Sequence, residues 1–280
     1  MSNQESLLRK RIVEYYEQND VSYQNWGDSQ RPYQIHYGYK DSPTQGHYDS
    51  LMRMNEVLAE AANVQAGNLV LDAGCGVGGG VIWLAETIEA KVHGISISEY
   101  QIAKAKSFTS GNLHPIEFSV QDFTRMAFPS KTFDVVWGLE SVCYAECKQD
   151  FLLEAYRVLR PDGYLVVADF FLNCSELDEI QSHSLEIWLD GWAIPNLCTQ
   201  AEFLKYLDVI GYKNVRMRDV TSNIRYSSEE IYLRGKEGYP DDILTKNKGV
   251  VQIKHVQACL FQKVALELGV WSYRIFTGQK

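Results

Sequence analysis

The sequence lacks the long apolar runs and basic clusters that mark several large classes of protein. No stretch approaches the roughly 20 consecutive apolar residues of a membrane span, and the polar residues 1–6 provide no apolar core for a signal peptide. We therefore expect a cytoplasmic protein without a membrane span.

Cysteine is present but is not organised for metal binding or crosslinking. The six cysteines are dispersed and form no Cys-x-x-Cys pair. Cys143 and Cys147 would fit one face of a helix, but two thiols do not make a zinc site. Free thiols in a reducing compartment and no bound metal are the expectation.

Positive charge is scarce relative to negative charge. The net charge is -9, and the longest basic run is Arg9-Lys10-Arg11. Proteins that bind nucleic-acid backbones obtain most of their affinity from Lys and Arg, which neutralise the phosphates. The negative net charge therefore argues against a nucleic-acid partner.

Short apolar segments alternate with helical patterns between residues 69 and 170. The predicted strands are Leu69–Leu71, Lys91–Ile95, Ile116–Val120, Phe133–Trp137 and Tyr164–Ala168. Pro161-Asp162-Gly163 is expected to end a helix and turn the chain into the fifth strand. Strand and helix in alternation predict an α/β fold with a mostly parallel, Rossmann-like sheet.

Later segments extend this pattern and also interrupt it. A helix ending at Gly211, a strand over 214–221 and a last strand over 271–277 are expected. Residues 1–50 are unusually aromatic and are predicted to form a lid segment, with residues 51–280 as the core. Helical insertions at about 172–198 and 222–268 would complete a helical and aromatic cap over the strand ends, where open α/β sheets bind ligands.

The glycine spacing after the first strand admits two cofactors. Gly74, Gly76 and Gly79 have the Gly-x-Gly-x-x-Gly spacing of a dinucleotide-binding turn. Asp72, at the strand end, would repel a pyrophosphate but suits a cationic amino-acid ligand. Ser96 stands where a dinucleotide site would carry an acid for the ribose. These two residues favour S-adenosylmethionine, which has an ammonium, a sulfonium and no phosphate.

Four segments, in order, resemble the class I S-adenosylmethionine-dependent methyltransferases, in particular the sterol C-methyltransferase and tocopherol methyltransferase branch. The resemblance spans about residues 12–221. The segments are Leu71–Gly79, Gly94–Ala105, Phe133–Ser141 and Tyr156–Gly163.

The resemblance also implies which residues bind the cofactor. The methionine end falls to Asp72, Gly74, Cys75 and Gly76, the ribose to Ser96, Ile97 and Gln101, and the adenine to Asp122 and Phe123. An exposed polar residue in the first turn of a helix is the alternative role for Gln101.

The aromatic N-terminal segment resembles that of the same branch, including Trp26-Gly27 followed by His36-x-Gly38. We expect it to fold over the cofactor and wall the acceptor pocket. Tyr16 and Tyr23 are the first candidates for catalytic contacts near the cofactor, and His36 for a polar role. Packing in the core of a helical cap is the alternative for each aromatic residue.

Glu140 follows the fourth strand, at the edge where chemistry is expected. It is the candidate for a base or a cation stabiliser, and the sterol branch has an acid at the equivalent place. The alternative is a carboxylate at a helix N-terminus that accepts hydrogen bonds from that helix.

Aromatic residues after the fifth strand indicate the kind of acceptor. Trp188, Trp192 and the turn Ile194–Leu197 favour a small apolar or aromatic natural product of specialised metabolism, and carbon or nitrogen methylation is preferred. A homo-oligomer interface is the alternative role of these aromatics. The alternative functions are a nicotinamide-dependent oxidoreductase and a cofactor-binding protein without methyl transfer.

Overall fold

A computed structural model describes residues 3–24, 34–42, 46–111, 114–244 and 249–280. Trp26, Gly27 and Tyr33 of the aromatic N-terminal segment lie outside the described residues. Within the described ranges, no helix is both long and apolar enough to cross a membrane.

One seven-stranded sheet organises the described chain. The strands are β1 Leu69–Ala73, β2 Lys91–Ser96, β3 Ile116–Val120, β4 Phe133–Leu139, β5 Leu159–Leu172, β6 Lys213–Asp219 and β7 Trp271–Gln279. Their order is β3-β2-β1-β4-β5-β7-β6, and only β7 runs antiparallel, to both β5 and β6. The predicted α/β fold with a mostly parallel, Rossmann-like sheet is confirmed.

In the ranges that the structure describes, ten α-helices flank this sheet or cap its edge. They are α1 Asn3–Gln18, α2 Asp20–Gln24, α3 His47–Ala61, α4 Gly79–Thr87, α5 Glu99–Phe108, α6 Lys148–Val158, α7 Glu179–Gly191, α8 Gln200–Ile210, α9 Thr221–Leu244 and α10 Val250–Glu267. A short 3-10 turn, Val142–Tyr144, follows β4. Helix α7 occupies the first predicted insertion, and α9 and α10 occupy the second.

Helices cover both faces of the sheet, which explains why its inner strands are apolar runs. In β4, Val135 and Trp137 belong to one buried cluster and Val136 to the other, because successive side chains point to opposite faces. Parallel crossovers then bring the ends of β1, β2 and β4 to one edge.

Strand β5 begins earlier than predicted. The preceding helix ends at Val158, and pairing with β4 already starts at Leu159, before the Pro161-Asp162-Gly163 turn. Asp162 has φ +63°, and the register shifts between Phe133 and Val135. The turn residues therefore produce an irregularity inside the strand instead of ending the helix.

The two cysteines expected on one helical face are also separated. Cys143 lies in the 3-10 turn, and Cys147 precedes the first turn of α6. The sequence spacing did not reveal the break between the two elements.

An aromatic cluster joins α7 to the antiparallel edge of the sheet. Trp188 of α7 is fully buried, and its ring centroid lies 4.8 Å from that of Trp271 and 5.3 Å from that of Phe170. Gly191 lets α7 approach α10 closely, since a Cβ there would lie 2.2 Å from the Lys254 carbonyl oxygen. Burial of large aromatic surfaces stabilises this part of the cap.

We expect Trp188→Ala to lower the free energy of unfolding by about 3–5 kcal/mol, because it leaves a cavity among these rings. Ile180 lies on the same helix and is 68% exposed, so Ile180→Ala is the matched control and should change stability by less than about 0.5 kcal/mol. Urea unfolding followed by circular dichroism measures both. Equal effects of the two variants would contradict the assigned packing.

Candidate functional site

A glycine loop carries the chain from β1 into α4 at the edge of the sheet. Gly74, Gly76 and Gly78 all have positive φ, at +106°, +53° and +93°. A Cβ on Gly74 would lie 2.3 Å from the Cβ of Ser141, which follows β4. The loop therefore depends on glycine both for its backbone conformation and for its contact with the next strand end.

A cavity of about 290 Å³, the first cavity, lies over this loop. It brings together all nine residues that the family resemblance assigns to the cofactor. They are Asp72, Gly74, Cys75, Gly76, Ser96, Ile97, Gln101, Asp122 and Phe123. They come from the ends of β1, β2 and β3 and the start of α5, so the parallel topology explains why they meet.

The Asp72 carboxyl group is the main electrostatic feature of the first cavity. Burial alone raises its pKa from 3.8 to about 7, and it has no hydrogen-bond partner among the described residues. A buried carboxylate without a partner is unfavourable until a cation approaches it. The first cavity is thus suited to a ligand with a positively charged amino group.

Local hydrogen bonds hold the side chains of residues that are candidates for binding the ribose and the adenine. The Ser96 hydroxyl donates to Gln101 Oε1 at 2.7 Å, and Asp122 Oδ1 accepts from the backbone and hydroxyl of Thr124. Gln101 is buried, so its alternative role as an exposed helix residue is wrong. Its side chain is held toward the cavity by a residue from the preceding strand.

A second cavity, of about 420 Å³, adjoins the first. Its walls are mostly aromatic and apolar and come from the N-terminal helices, the end of β5, the segment after α7, and helices α9 and α10. The two cavities share Tyr16, Ile35, His36, Glu140 and Tyr144. The shared residues mark the place where a group could pass from one ligand to another.

Glu140 lies at this junction in an unusual backbone conformation, with φ +49°. Its Oε1 accepts hydrogen bonds from the backbone N–H of Tyr37 and from the hydroxyl of Tyr273, both at 2.7 Å. Burial raises the pKa of Glu140 to about 8. Both donors come from distant segments, so the alternative of a carboxylate bound by its own helix N-terminus is wrong.

Tyr16 and Tyr23 reach the cavities from the N-terminal helices. The Tyr16 hydroxyl donates to that of Tyr144 at 3.0 Å, and Tyr144 donates to the Trp192 carbonyl oxygen at 3.1 Å. Tyr23 lines the second cavity only. Burial raises the pKa of both tyrosines, which keeps their hydroxyl groups protonated.

His36 lines both cavities and connects the chain before α3 to the glycine loop. Its Nε2 lies 2.8 Å from Gln34 Oε1, and Gln34 in turn donates to the Gly79 carbonyl oxygen. Its Nδ1 lies 2.9 Å from the Tyr37 carbonyl oxygen. Burial lowers the pKa of His36 to about 4, so the imidazole is neutral at pH 7.

Several residues of the site were not predicted. Tyr37, Tyr144 and Tyr273 hold the predicted residues in place, and His255 lines the second cavity. The contacts of Tyr37 and Tyr273 with Glu140, and the place of His255 in the second cavity, arise only through the tertiary arrangement, which no local spacing encodes. Within the described residues, no group of His, Cys, Asp and Glu side chains is arranged to hold a metal ion.

Comparison with known proteins identifies the central part of the chain. Residues 71–167 match the family model described as "Methyltransferase domain". Methyltransferase GfsG of Streptomyces halstedii is 32% identical over 184 residues, which cover 63% of each protein. Sterol 24-C-methyltransferase erg-4 of Neurospora crassa is 28% identical over 205 residues, covering 72% of this chain and 52% of the relative.

A further relative represents the tocopherol side of the predicted resemblance. The 2-methyl-6-phytyl-1,4-hydroquinone methyltransferase of Synechocystis sp. is 32% identical over 213 residues, covering 71% of this chain and 61% of the relative. The chain thus spans about half to two thirds of the length of these relatives. The resemblance to sterol and tocopherol methyltransferases is confirmed, and the named relatives are methyltransferases.

Solved structures agree with the fold. The [4+2]-cyclase SpnF has a TM-score of 0.79 at 22% identity, covering 97% of this chain and 96% of the other. Mycolic acid cyclopropane synthase CmaA1, in complex with SAH, has a TM-score of 0.82 at 13% identity, covering 97% and 98%. At these identities the likeness concerns the fold alone. The methyltransferase family uses S-adenosylmethionine as its cofactor.

We expect Asp72→Asn to weaken binding of S-adenosylhomocysteine at least about tenfold, because the ligand's ammonium loses a charged partner. Isothermal titration calorimetry measures the affinity. Asp208 is an exposed carboxylate on α8, so Asp208→Asn is the charge-matched control. Unchanged affinity in Asp72→Asn would contradict the assigned role.

The same variant should stabilise the protein without ligand at high pH. Because the folded pKa of Asp72 is about 7 against 3.8 in its ordinary state, the folded chain holds its proton longer than the unfolded chain. Stability from this group is present at low pH and is lost as pH rises through about 7. Asparagine does not ionise, so the variant avoids that loss. Its free energy of unfolding in urea should therefore exceed that of the wild type only as the pH increases.

Proposed function

Because residues 71–167 form a methyltransferase domain, we propose that this chain transfers the methyl group of S-adenosylmethionine to a small, largely apolar or aromatic acceptor. The cofactor occupies the first cavity and the acceptor occupies the second. The observation that carries this proposal is the junction of the two cavities at Glu140, Tyr16 and His36.

The residues of the first cavity fit the cofactor chemically. Asp72 supplies a carboxylate for the ammonium group, and the glycines allow the backbone to approach the methionine part. Ser96, Ile97 and Gln101 would hold the ribose, and Asp122 and Phe123 would hold the adenine. When bound, the cofactor supplies an electrophilic methyl group.

The residues at the junction align the reactants and exclude water. Displacement at a sulfonium methyl creates no new charge on the carbon, so alignment and desolvation supply much of the rate. Glu140 acts in its ionised form, as a base or as a stabiliser of positive charge. Its two hydrogen bonds through Oε1 fix the carboxyl group beside both cavities.

The aromatic walls of the second cavity support a natural-product acceptor. Phe170 and Trp192 lie in this wall, together with Ile194 and Ile231. Relatives are named for sterol and phytyl hydroquinone methylation, which supports carbon methylation in specialised metabolism, with nitrogen as the other preferred acceptor atom. The relatives give no support to the nicotinamide alternative. Cytoplasmic location and homo-oligomerisation stay predictions.

Methyl transfer itself is tested by a product assay. The protein is incubated with methyl-labelled S-adenosylmethionine and extracts fractionated by polarity, and labelled products are identified by mass spectrometry. We expect label in a small apolar or aromatic product, with S-adenosylhomocysteine formed in equal amount. Cofactor binding without any labelled product would refute the proposed function.

Once the acceptor is identified, Glu140→Gln should lower kcat by about 10²–10³-fold while cofactor affinity changes little. Turnover of the wild type should rise with pH as Glu140 ionises, with a midpoint at or below its pKa of about 8, because the sulfonium charge favours the carboxylate. The variant should lose this dependence. Glu179→Gln, at an exposed site on α7, is the control. Wild-type kcat in Glu140→Gln would exclude the role.

We also propose that the N-terminal segment serves as a lid over the cofactor. Helix α1 contributes Leu8 and Ile12 to the first cavity, and an ion pair joins the segment to the core through Asp20 and Lys104. The Asp20 carboxylate accepts from Lys104 Nζ at 2.6 Å and from the Tyr100 hydroxyl at 2.9 Å. Both donors are on α5, which also carries Gln101.

Asp20→Asn should therefore raise the Kd for S-adenosylmethionine about threefold to tenfold, because a half-buried ion pair that holds the lid is lost. Lys263 is a lysine of exposure similar to that of Lys104 and pairs with Glu229 of α9 and Glu267 of α10, so Lys263→Gln, which breaks ion pairs away from the lid, serves as the control. Stopped-flow fluorescence should show the change mainly in the dissociation rate. An unchanged dissociation rate would argue that the segment is only core packing.

A further inference from the structure

A chain of three hydrogen-bonded side chains stands at one wall of the second cavity. The Tyr15 hydroxyl makes a hydrogen bond with the Tyr23 hydroxyl and lies 2.9 Å from His255 Nδ1. Tyr23 and His255 line the second cavity but not the first. These hydrogen-bonded side chains therefore border the cavity assigned to the acceptor and lie apart from the cavity assigned to the cofactor.

When His255 is neutral and its Nδ1 is unprotonated, the hydrogen bonds among these three side chains are all donated toward His255. Tyr15 then donates to Nδ1, and Tyr23 donates to the Tyr15 oxygen, since each hydroxyl has a single proton. The Tyr23 oxygen keeps lone pairs that can accept a proton from a ligand in the cavity. His255 Nε2, 3.8 Å from Cys259 Sγ, would carry the ring proton in this tautomer.

Other titratable groups of the second cavity are poorly suited to removing a proton at neutral pH. Burial lowers the pKa of His36 to about 4, so its imidazole is a weak base. Glu140 lies at the junction with the first cavity, and its Oε1 already accepts hydrogen bonds from Tyr37 and Tyr273. Burial also raises the pKa of the Cys259 thiol to about 12. A base is nevertheless needed if the acceptor carries a proton that must leave.

We propose that Tyr23, Tyr15 and His255 form a proton relay that deprotonates an acceptor bearing an aromatic hydroxyl group. This deepens the proposed function and rests on it. The acceptor proton moves to the Tyr23 oxygen, the Tyr23 proton moves to Tyr15, and the Tyr15 proton moves to His255 Nδ1. Glu140, beside the path of the methyl group, then stabilises positive charge instead of acting as the base.

The relay accounts for the proton that the acceptor loses during methyl transfer. The phenolate electron pair, from oxygen or from a ring carbon, forms the new bond to the methyl carbon, and the electrons of the broken carbon–sulfur bond stay on sulfur. After attack from carbon, the ring proton of that carbon moves to the oxygen and restores the phenol. In either case one proton remains on His255, so the positive charge of the sulfonium reappears on the imidazolium.

Para-nitrophenol tests the relay without requiring turnover, because its phenolate is yellow. The compound is titrated into protein saturated with S-adenosylhomocysteine, and the absorbance of the bound form is recorded across a pH series. Tyr15→Phe and His255→Gln should each lower the ionisation constant of the bound phenol at least about tenfold relative to the wild type. Tyr212→Phe and His93→Gln remove comparable hydrogen bonds elsewhere and should leave it unchanged.

Two results would overturn the relay: absence of para-nitrophenol binding to the wild type, or equal ionisation in the wild type and in both relay variants. The product assay separates this failure from that of the proposed function. Ionisation that depends on His255, with no methylated product from any acceptor, would support the relay and refute methyl transfer. Methylated product together with equal ionisation in the variants would do the reverse. If a phenolic acceptor is found, His255→Gln should lower kcat by about 10²-fold or more with little change in KM for the cofactor.

Discussion

The Glu140 carboxyl group joins parts of the chain that are far apart in sequence, and the arrangement of the two cavities depends on it. Its Oε1 accepts from Tyr37, before α3, and from Tyr273, on the last strand, while its own backbone N–H donates to Ala168 of β5. The left-handed backbone at this residue turns the chain sharply after β4. Strain of this kind persists where the surrounding contacts enforce it, as they do here.

Two buried acids, Asp72 and Glu140, line the cavities, and a third, Asp169, accepts a hydrogen bond from the backbone of Cys143, which lines the second cavity. Burial raises the pKa of Asp72 to about 7, of Glu140 to about 8 and of Asp169 to about 6. Asp169 is tied to the backbone of Phe170 and Cys143, whereas Asp72 has no hydrogen-bond partner in the described chain. A cationic ligand in the first cavity offsets part of the desolvation cost of these groups. Binding and folding are therefore coupled, and the ligand-bound protein gains stability by mass action.

Much of the fold and of the first cavity could be predicted from sequence because both follow from local patterns. Apolar runs predict the strands, and parallel topology brings together the strand ends that carry Asp72, Ser96 and Asp122. The assignment of Ser96 to the ribose and of Asp122 to the adenine came from the family resemblance. The irregular start of β5 was missed, since Pro161-Asp162-Gly163 has the same letters whether it ends a helix or distorts a strand. The contacts of Tyr37 and Tyr273 with Glu140 were not predicted, because they exist only in the folded chain.

The two cavities are built by different parts of the chain. This limits what can be inferred about the acceptor from similarity to the family. The residues proposed to bind the ribose and the adenine lie inside the matched segment 71–167. Most of the second cavity lies outside it, on the N-terminal helices, on the segment around Trp192, and on α9 and α10. The matched segment contributes Glu140, Cys143 and Tyr144 to the second cavity, and Glu140 and Tyr144 also line the first. Similarity within the domain therefore carries information about methyl donation. Acceptor choice depends instead on helices outside the domain, such as the one that carries His255, because one sheet can support acceptor cavities built from different helices.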